Sequence, residues 1–368
     1  MKQGWEYKKI GNICNITTGK LDANAANEDG LYPFFTCSRI PLSINTYAYD
    51  CECILIAGNG DLNVKYYNGK FNAYQRTYIL QLKNDVNGVE MRYIFAFFNL
   101  YIEELRRKSI GGIIKYIKLG DLTNALLPLP DITTQLSIVS ELDKINELIR
   151  LKQEQLKDYD NLAQSIFYEM FGDPVENEKG WEVKKLGEVC SVGTGSTPNR
   201  KNKEYYEHGI YPWVKSTEVC NLPIYSVEEF ITEEALQNTN CGLYPKDSIL
   251  MAMYGQGKTR GQVGLLKIEA CTNQAVAAIV PSKKINSIFL YRHLMLMYEH
   301  IRDMARGGNQ ANLNLTIVRS IQILLPPRPL QHLFAQRIEQ IERQKPAVQK
   351  SITDLETLLA SRMQYWFE

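Results

Sequence analysis

The chain has 368 residues and only four histidines. His208, His293, His300 and His332 stand in no regular relation to a serine, a cysteine or paired carboxylates, which excludes the usual nucleophile–base arrangements. Cys14, Cys37, Cys51, Cys53, Cys190, Cys220, Cys241 and Cys271 form no CxxC pair and have no histidine at ligand spacing, so no zinc or other metal site is expected. Apolar runs stay short of the length that spans a bilayer, and no membrane partner is expected. The start, Met1-Lys2-Gln3-Gly4-Trp5-Glu6, lacks a signal-peptide core. Free thiols without an export signal fit a reducing compartment, and the expected location is the cytoplasm. An Asn-Pro-Pro-Tyr type motif for amino methylation, a Gly-rich cofactor loop and a PD-(D/E)XK-like nuclease pattern are all missing. The expectation is a noncatalytic chain that holds no cofactor of its own.

Charge of one sign is missing too. The formal net charge is +1. It divides into +3 over residues 1–130, −4 over 131–171, +2 over 172–330 and 0 over 331–368. A protein that bound DNA by counterion release alone would be more basic.

What is present is length in one periodic stretch, residues 131–172. Ile138, Leu142, Ile145, Ile149, Lys152, Leu156, Tyr159, Ala163, Ile166 and Met170 follow in steps of four and three. That period of about 3.5 is the seam of a helix packed along a partner helix. Pro128 and Pro130 mark its start and Gly172-Asp173-Pro174 its stop. Some forty residues at about 1.5 Å each would reach roughly 60 Å, which suits a spacer. A shift of 196 lands on Phe334, Ile338, Ile341, Lys345, Val348, Ile352, Leu355, Leu359, Arg362 and Trp366, again mostly apolar. Leu325-Pro326-Pro327 introduces the second stretch, and a glutamine stands just inside each (Gln135, Gln331). The expectation is an antiparallel pair within the chain; two amphipathic helices in separate cores is the other reading. Lys152 and Lys345 interrupt the seam near mid-helix and are expected to cluster at one level. Pro346 is expected to kink or split the second helix.

The repeat extends beyond the helices. Gly4-Trp5-Glu6-Tyr7-Lys8-Lys9-Ile10-Gly11 returns as Gly180-Trp181-Glu182-Val183-Lys184-Lys185-Leu186-Gly187. Leu31-Tyr32-Pro33 returns as Ile210-Tyr211-Pro212, 53–57 as 248–252, and Gly111-Gly112 as Gly307-Gly308. The plan is therefore a unit over 1–130, a helix over 131–172, a second unit over 173–326 and a second helix over 327–368. Within the units, 53–57, 62–67 and Thr77–Leu82 read as short strands, as do 248–253, 262–267 and 275–280. A helix follows in each, over Met91–Lys108 and 288–305. The predicted class is α+β: two β-rich domains of mixed or antiparallel sheet, separated by two long helices packed as an antiparallel coiled coil.

One motif points elsewhere. Ala252-Met253-Tyr254-Gly255-Gln256-Gly257-Lys258-Thr259 fits a permissive phosphate-loop pattern, but Arg260-Gly261-Gln262-Val263-Gly264-Leu265-Leu266 continues it as strand, not helix. Nucleotide binding is set aside. Two readings stay open: a turn presenting Tyr254, Gln256, Lys258, Thr259 and Arg260 to DNA, or a solvated hairpin tip. The slot in the first unit holds Asn59, Asp61, Asn63 and Lys65. The Gly-Gly loops are open in the same way, with Asn309, Gln310 and Asn312 in one and Lys115 in the other. Ser38, Arg39, Arg76, Lys215, Ser216, Asn273 and Gln274 complete the candidate DNA-contacting set.

These residues resemble the specificity subunits of type I restriction-modification systems over nearly the whole chain. The resemblance rests on the two Gly-Trp-Glu-x-Lys-Lys openings, Gly193-Thr194-Gly195-Ser196-Thr197-Pro198 and Thr272-Asn273-Gln274-Ala275. The proline-rich helix entries with Gln135 and Gln331, and Met170-Phe171-Gly172-Asp173-Pro174, add to it. The first unit departs from the pattern, with Thr17-Thr18-Gly19-Lys20 and Ala73-Tyr74-Gln75. The resemblance implies two target recognition domains held apart by the helix pair, each recognising half of a bipartite site in double-stranded DNA. It also implies two methyltransferase subunits using S-adenosylmethionine and motor-endonuclease subunits using ATP and Mg2+, with adenine methylation and restriction carried out by those partners. A related autonomous restriction or methylation enzyme, or a DNA-binding regulator, is the alternative; an enzyme would need catalytic motifs on this chain.

Overall fold

The computed structural model describes residues 4–255, 257–305 and 312–368. The two periodic stretches are helices of 40 residues each, Ile132–Phe171 and Arg328–Phe367. Asp131 caps the first, accepting from Thr134 N at 3.0 Å and from Thr134 Oγ1 at 2.7 Å. Gly172 ends it at φ +78°, a left-handed position that favours glycine. Of the two outcomes expected at Pro346, splitting is absent: the proline lies inside the second helix without interrupting it. A proline removes one backbone bond, while buried Ile341, Val348 and Ile352 hold the turns on either side against their surroundings.

The chain forms two compact units, 1–154 with 349–368 and 155–348. Each unit therefore combines a globular part with segments of both long helices.

In the first unit a six-stranded sheet runs in the order Cys14–Thr18, Thr77–Leu82, Tyr49–Ala57, Val64–Ala73, Tyr32–Phe35, Leu42–Ile44. A two-stranded ribbon pairs Glu6–Lys9 with Leu126–Leu129. The helix Met91–Lys108 buries Tyr93, Ile94, Phe97, Phe98, Ile102 and Leu105 in a core shared with Ile54, Ile56 and Leu80 of the sheet.

The second unit repeats the plan. Val192–Thr194, Val276–Ile279, Ile249–Ala252, Val263–Leu266 and Pro223–Ile224 form a five-stranded sheet, and Val183–Lys185 pairs with Gln322–Leu324. The outer strands that extend the first sheet are here a separate sheet, ordered Phe230–Ile231, Tyr211–Val214, Cys271–Thr272. The single helix expected over 288–305 is two, Ser287–Leu296 and Tyr298–Met304, meeting at Met297, whose φ of −84° and ψ of 7° are not helical.

The long helices run antiparallel within each unit. In the first, Glu141 accepts from the Arg362 guanidinium and from Trp366 Nε1. In the second, Asp160 pairs with Lys345 at 2.6 Å, and Phe167 and Phe171 stack edge-on against Phe334. Ile138, Leu142, Ile145, Phe334, Ile338, Ile341 and Ile352 are buried, while Leu156, Tyr159, Leu355 and Leu359 are half-buried. Lys345 takes Asp160 and Glu342 as its partners, at 2.6 and 2.8 Å. A carboxylate pair satisfies an ammonium better than a second cation could. The two tryptophans of the repeated opening pack on helix ends: Trp181 donates to Phe171 O at 2.9 Å, and Trp5 stacks on Trp366.

Candidate nucleic-acid interface

The register of each central sheet gathers the candidate segments at one end. In the second unit Thr194 faces Ala277 and Ala252 faces Val276, so residues 195–198, 253–255, 257–261 and 272–275 leave the sheet together. In the first unit Thr18 faces Tyr78 and Ala57 faces Thr77, which brings together residues 19–21, 58–63 and 74–76.

The motif residues lock these segments to each other. Gly195 lies so close to the neighbouring strand that a Cβ would stand 1.8 Å from Thr272 O, and its N–H donates to Thr272 Oγ1 at 3.0 Å. Thr197 Oγ1 donates to Gln274 Oε1 at 2.5 Å, Thr194 Oγ1 to Val276 O at 2.7 Å, and Trp213 Nε1 to Ser196 O at 3.1 Å. Gly19 does the same work in the first unit, where a Cβ would stand 2.2 Å from Ala73 O. The Gly-Ser-Thr-Pro and Thr-Asn-Gln motifs are thus an interlock of two strand ends, and the Thr-Thr-Gly-Lys and Ala-Tyr-Gln segments are its simpler form.

On this rim the candidates differ in freedom. Ser38, Arg39, Asp61, Arg76 and Lys115 are exposed in the first unit and Asn59 is half-buried. Arg39 Nε pairs with Asp61 Oδ2 at 2.7 Å and holds that carboxyl below the usual carboxylate range. Asn63 is buried and braces the rim, donating to Cys37 O and Asp61 O, both at 2.8 Å. Lys65 contacts the Asn63 amide, and burial lowers its pKa. Gly60 N donates to Lys115 O at 2.9 Å and Ile117 N to Gly58 O at 3.0 Å. The two loops read separately from the sequence are therefore one structure.

In the second unit Tyr254 and Lys258 are exposed, Thr259 and Arg260 half-buried, and Gln274 and Asn312 exposed. Arg260 Nε is buried with no hydrogen-bond partner among the described residues. Asn273 turns its own loop, accepting from Ala275 N at 3.1 Å. Lys215 is neutralised by Glu228 at 2.7 Å and Glu229 at 3.0 Å, and Ser216 beside it is half-buried. Leu313 N donates to Met253 O at 3.0 Å, which ties the Asn312 segment to the turn. Gln256, Asn309 and Gln310 lie outside the described residues. Sequence reasoning missed Arg106, Tyr298 and Arg302, which grip the two turns from behind; their shared spacing of 196 with the helix repeat (Arg106 and Arg302) was the available signal.

Among the described residues no group of three or more His, Cys, Asp or Glu could hold a metal, and no helix is long and apolar enough to cross a membrane. Amides, hydroxyls and cations on a fixed sheet end suit the edges and phosphates of nucleic acid.

Comparison with known proteins agrees with this duplicated architecture. The family model for the type I restriction modification DNA specificity domain matches residues 2–158 and again 178–356. The chain is similar to the specificity subunit of the type I restriction enzyme EcoDI of Escherichia coli, 25% identical over 378 residues, which cover 95% of this chain and 84% of that one. Its fold is similar to the S subunit of a type I restriction-modification system from M. genitalium, with a TM-score of 0.62 at 16% identity over 100% of this chain and 98% of that one. A chain from a structure of type I R-M complex assembly and conformational transition matches at TM-score 0.60 and 18% identity, over 100% and 98% of the two chains. With one match on each copy of its repeat, the protein belongs to the type I restriction-modification DNA specificity family.

Proposed function

We propose that this chain is the noncatalytic specificity subunit of a type I restriction-modification complex, and that each unit recognises one half of a bipartite DNA target. The observation that carries this is the repeated rim: the same sheet end is interlocked the same way in both units but displays different side chains. Asn59 and Asp61 stand in the turn slot where the second unit shows Tyr254, Lys258 and Thr259. A common scaffold with divergent polar tips is what two different half-sites require. Methylation and restriction reside in partner methyltransferase and motor-endonuclease subunits, which bring S-adenosylmethionine, ATP and Mg2+. This chain positions them on its target in the cytoplasm.

The test is an exchange of residues 180–326 for the corresponding unit of a relative, followed by mapping of methylated sites. One half of the site is expected to change while the other stays. A swap that alters both halves together would defeat the reading. Labelled S-adenosylmethionine incubated with DNA and the isolated chain should give no transfer.

A further inference from the structure

Arg106 and Arg302 stand 196 residues apart, the spacing that relates the two long helices. Each lies in the last turn of a helix behind the rim, Met91–Lys108 or Tyr298–Met304. Arg106 Nη2 donates to Leu62 O at 2.9 Å and lies 3.6 Å from Asp61 Oδ1. Arg302 Nη1 donates to Gly257 O at 2.8 Å and to Tyr298 Oη, and Tyr298 Oη donates to Lys258 O. The guanidinium sits 5.2 Å from the centre of the Tyr298 ring. Gly261, at φ +87°, closes the turn so tightly that a Cβ there would stand 3.1 Å from Arg302 Cγ.

We propose that Arg106, and Arg302 with Tyr298, are positioning residues that set the conformation of the rim turns and so decide which bases each unit accepts. The proposal rests on the rim being the DNA interface. Its physical basis is the looseness of the turns. Gly255, Gly257 and Gly261 all take positive φ, at 140°, 68° and 87°, and a turn so rich in glycine has many conformations of similar energy. A hydrogen bond to a base edge tolerates little error in distance or angle. Capturing the Gly257 and Lys258 carbonyls fixes two successive peptide planes, and with them the directions of the Lys258 and Thr259 side chains. A cationic donor makes the stronger kind of bond to a carbonyl. The first unit lacks the tyrosine, with buried Ile102 at the matching position, and instead secures its turn through Arg39 and Asp61. Each turn is therefore held by a common arginine and one private contact.

The experiment uses the full chain expressed with its partner subunits, and methylome sequencing as the readout. Arg302→Met is expected to relax the half-site read by the second unit, with about a tenfold loss of preference for its best base at one or more positions. The other half-site stays intact. Arg302→Lys, which can still donate to Gly257 O, restores most of the preference, and Arg106→Met relaxes the opposite half. A Lys258→Ala/Thr259→Ala double variant is the control for the rim itself. If that double variant changes the half-site and Arg302→Met does not, the clamp is overturned and the rim stands. If the double variant changes nothing, the rim reading falls and the clamp with it. Arg302→Met lowering methylation at all sites without altering preference shows a merely structural arginine and overturns the proposal. Should Arg302→Met fail to fold by thermal melting, Tyr298→Phe, which removes one hydroxyl, is judged by the same outcomes.

Discussion

Gln331 and Gln135 close the same two hydrogen bonds in the two units. Gln331 Nε2 donates to Pro326 O at 2.7 Å and its Oε1 accepts from Asn286 N at 2.8 Å. Gln135 Nε2 donates to Pro130 O at 2.8 Å and its Oε1 accepts from Glu90 N at 3.0 Å. Both side chains are fully buried. Each ties the first turn of a long helix to the residue that opens the domain helix beside it. Gln331→Leu should therefore cost about 2–6 kcal/mol, because it strands the half-buried Asn286 N–H and the buried Pro326 carbonyl at about 1–3 kcal/mol each. Urea denaturation of the purified chain measures this; a change below about 1 kcal/mol would show that water replaces both bonds.

His293 gives the second unit a pH dependence. It is fully buried between Phe289 and Phe167, Nε2 accepts weakly from Leu324 N at 3.4 Å, and Nδ1 has no partner among the described residues. Burial drives its pKa from the ordinary 6.5 to about 3. The folded state keeps the imidazole neutral, whereas the unfolded chain binds a proton below pH 6.5. Stability should fall as pH drops from about 6.5 toward 3, by on the order of 1 kcal/mol per unit from this group. His293→Leu should be flatter across that window in melts at successive pH values, and equal slopes for both proteins would refute the assignment.

The helices as a ruler make a third prediction. Four residues inserted after Lys152, matched by four after Thr353, preserve the seam and keep Glu141–Arg362 in one unit and Asp160–Lys345 in the other. Four residues add about 6 Å, close to two base pairs at about 3.4 Å each. Methylome mapping should show the unread gap lengthened by about two base pairs with unchanged half-sites. An active variant that methylates the original spacing would show that the helices do not set it.

Periodicity and repetition were legible in the chain by itself. The seam from Ile138 to Met170 and its echo from Phe334 to Trp366 required two long helices, because a stripe of period near 3.5 has no other way to be buried. The domain helix Met91–Lys108 and the strand Thr77–Leu82 could be read with their bounds, since Gly, Asn and charged residues punctuate them. The duplication implied two similar units and a protein that binds the same kind of partner twice. Tertiary structure decided the rest. Pro346 stays within an unbroken helix because packing on both sides outweighs one missing bond. Lys345 takes Asp160 as its partner, because relative register depends on side chains from two distant segments. Asn63 and Lys215 are held in place rather than displayed, and Arg302 acts on a turn more than forty residues away in the chain. Such roles depend on which carbonyl or carboxylate the fold delivers within about 3 Å, a distance that local propensity does not encode.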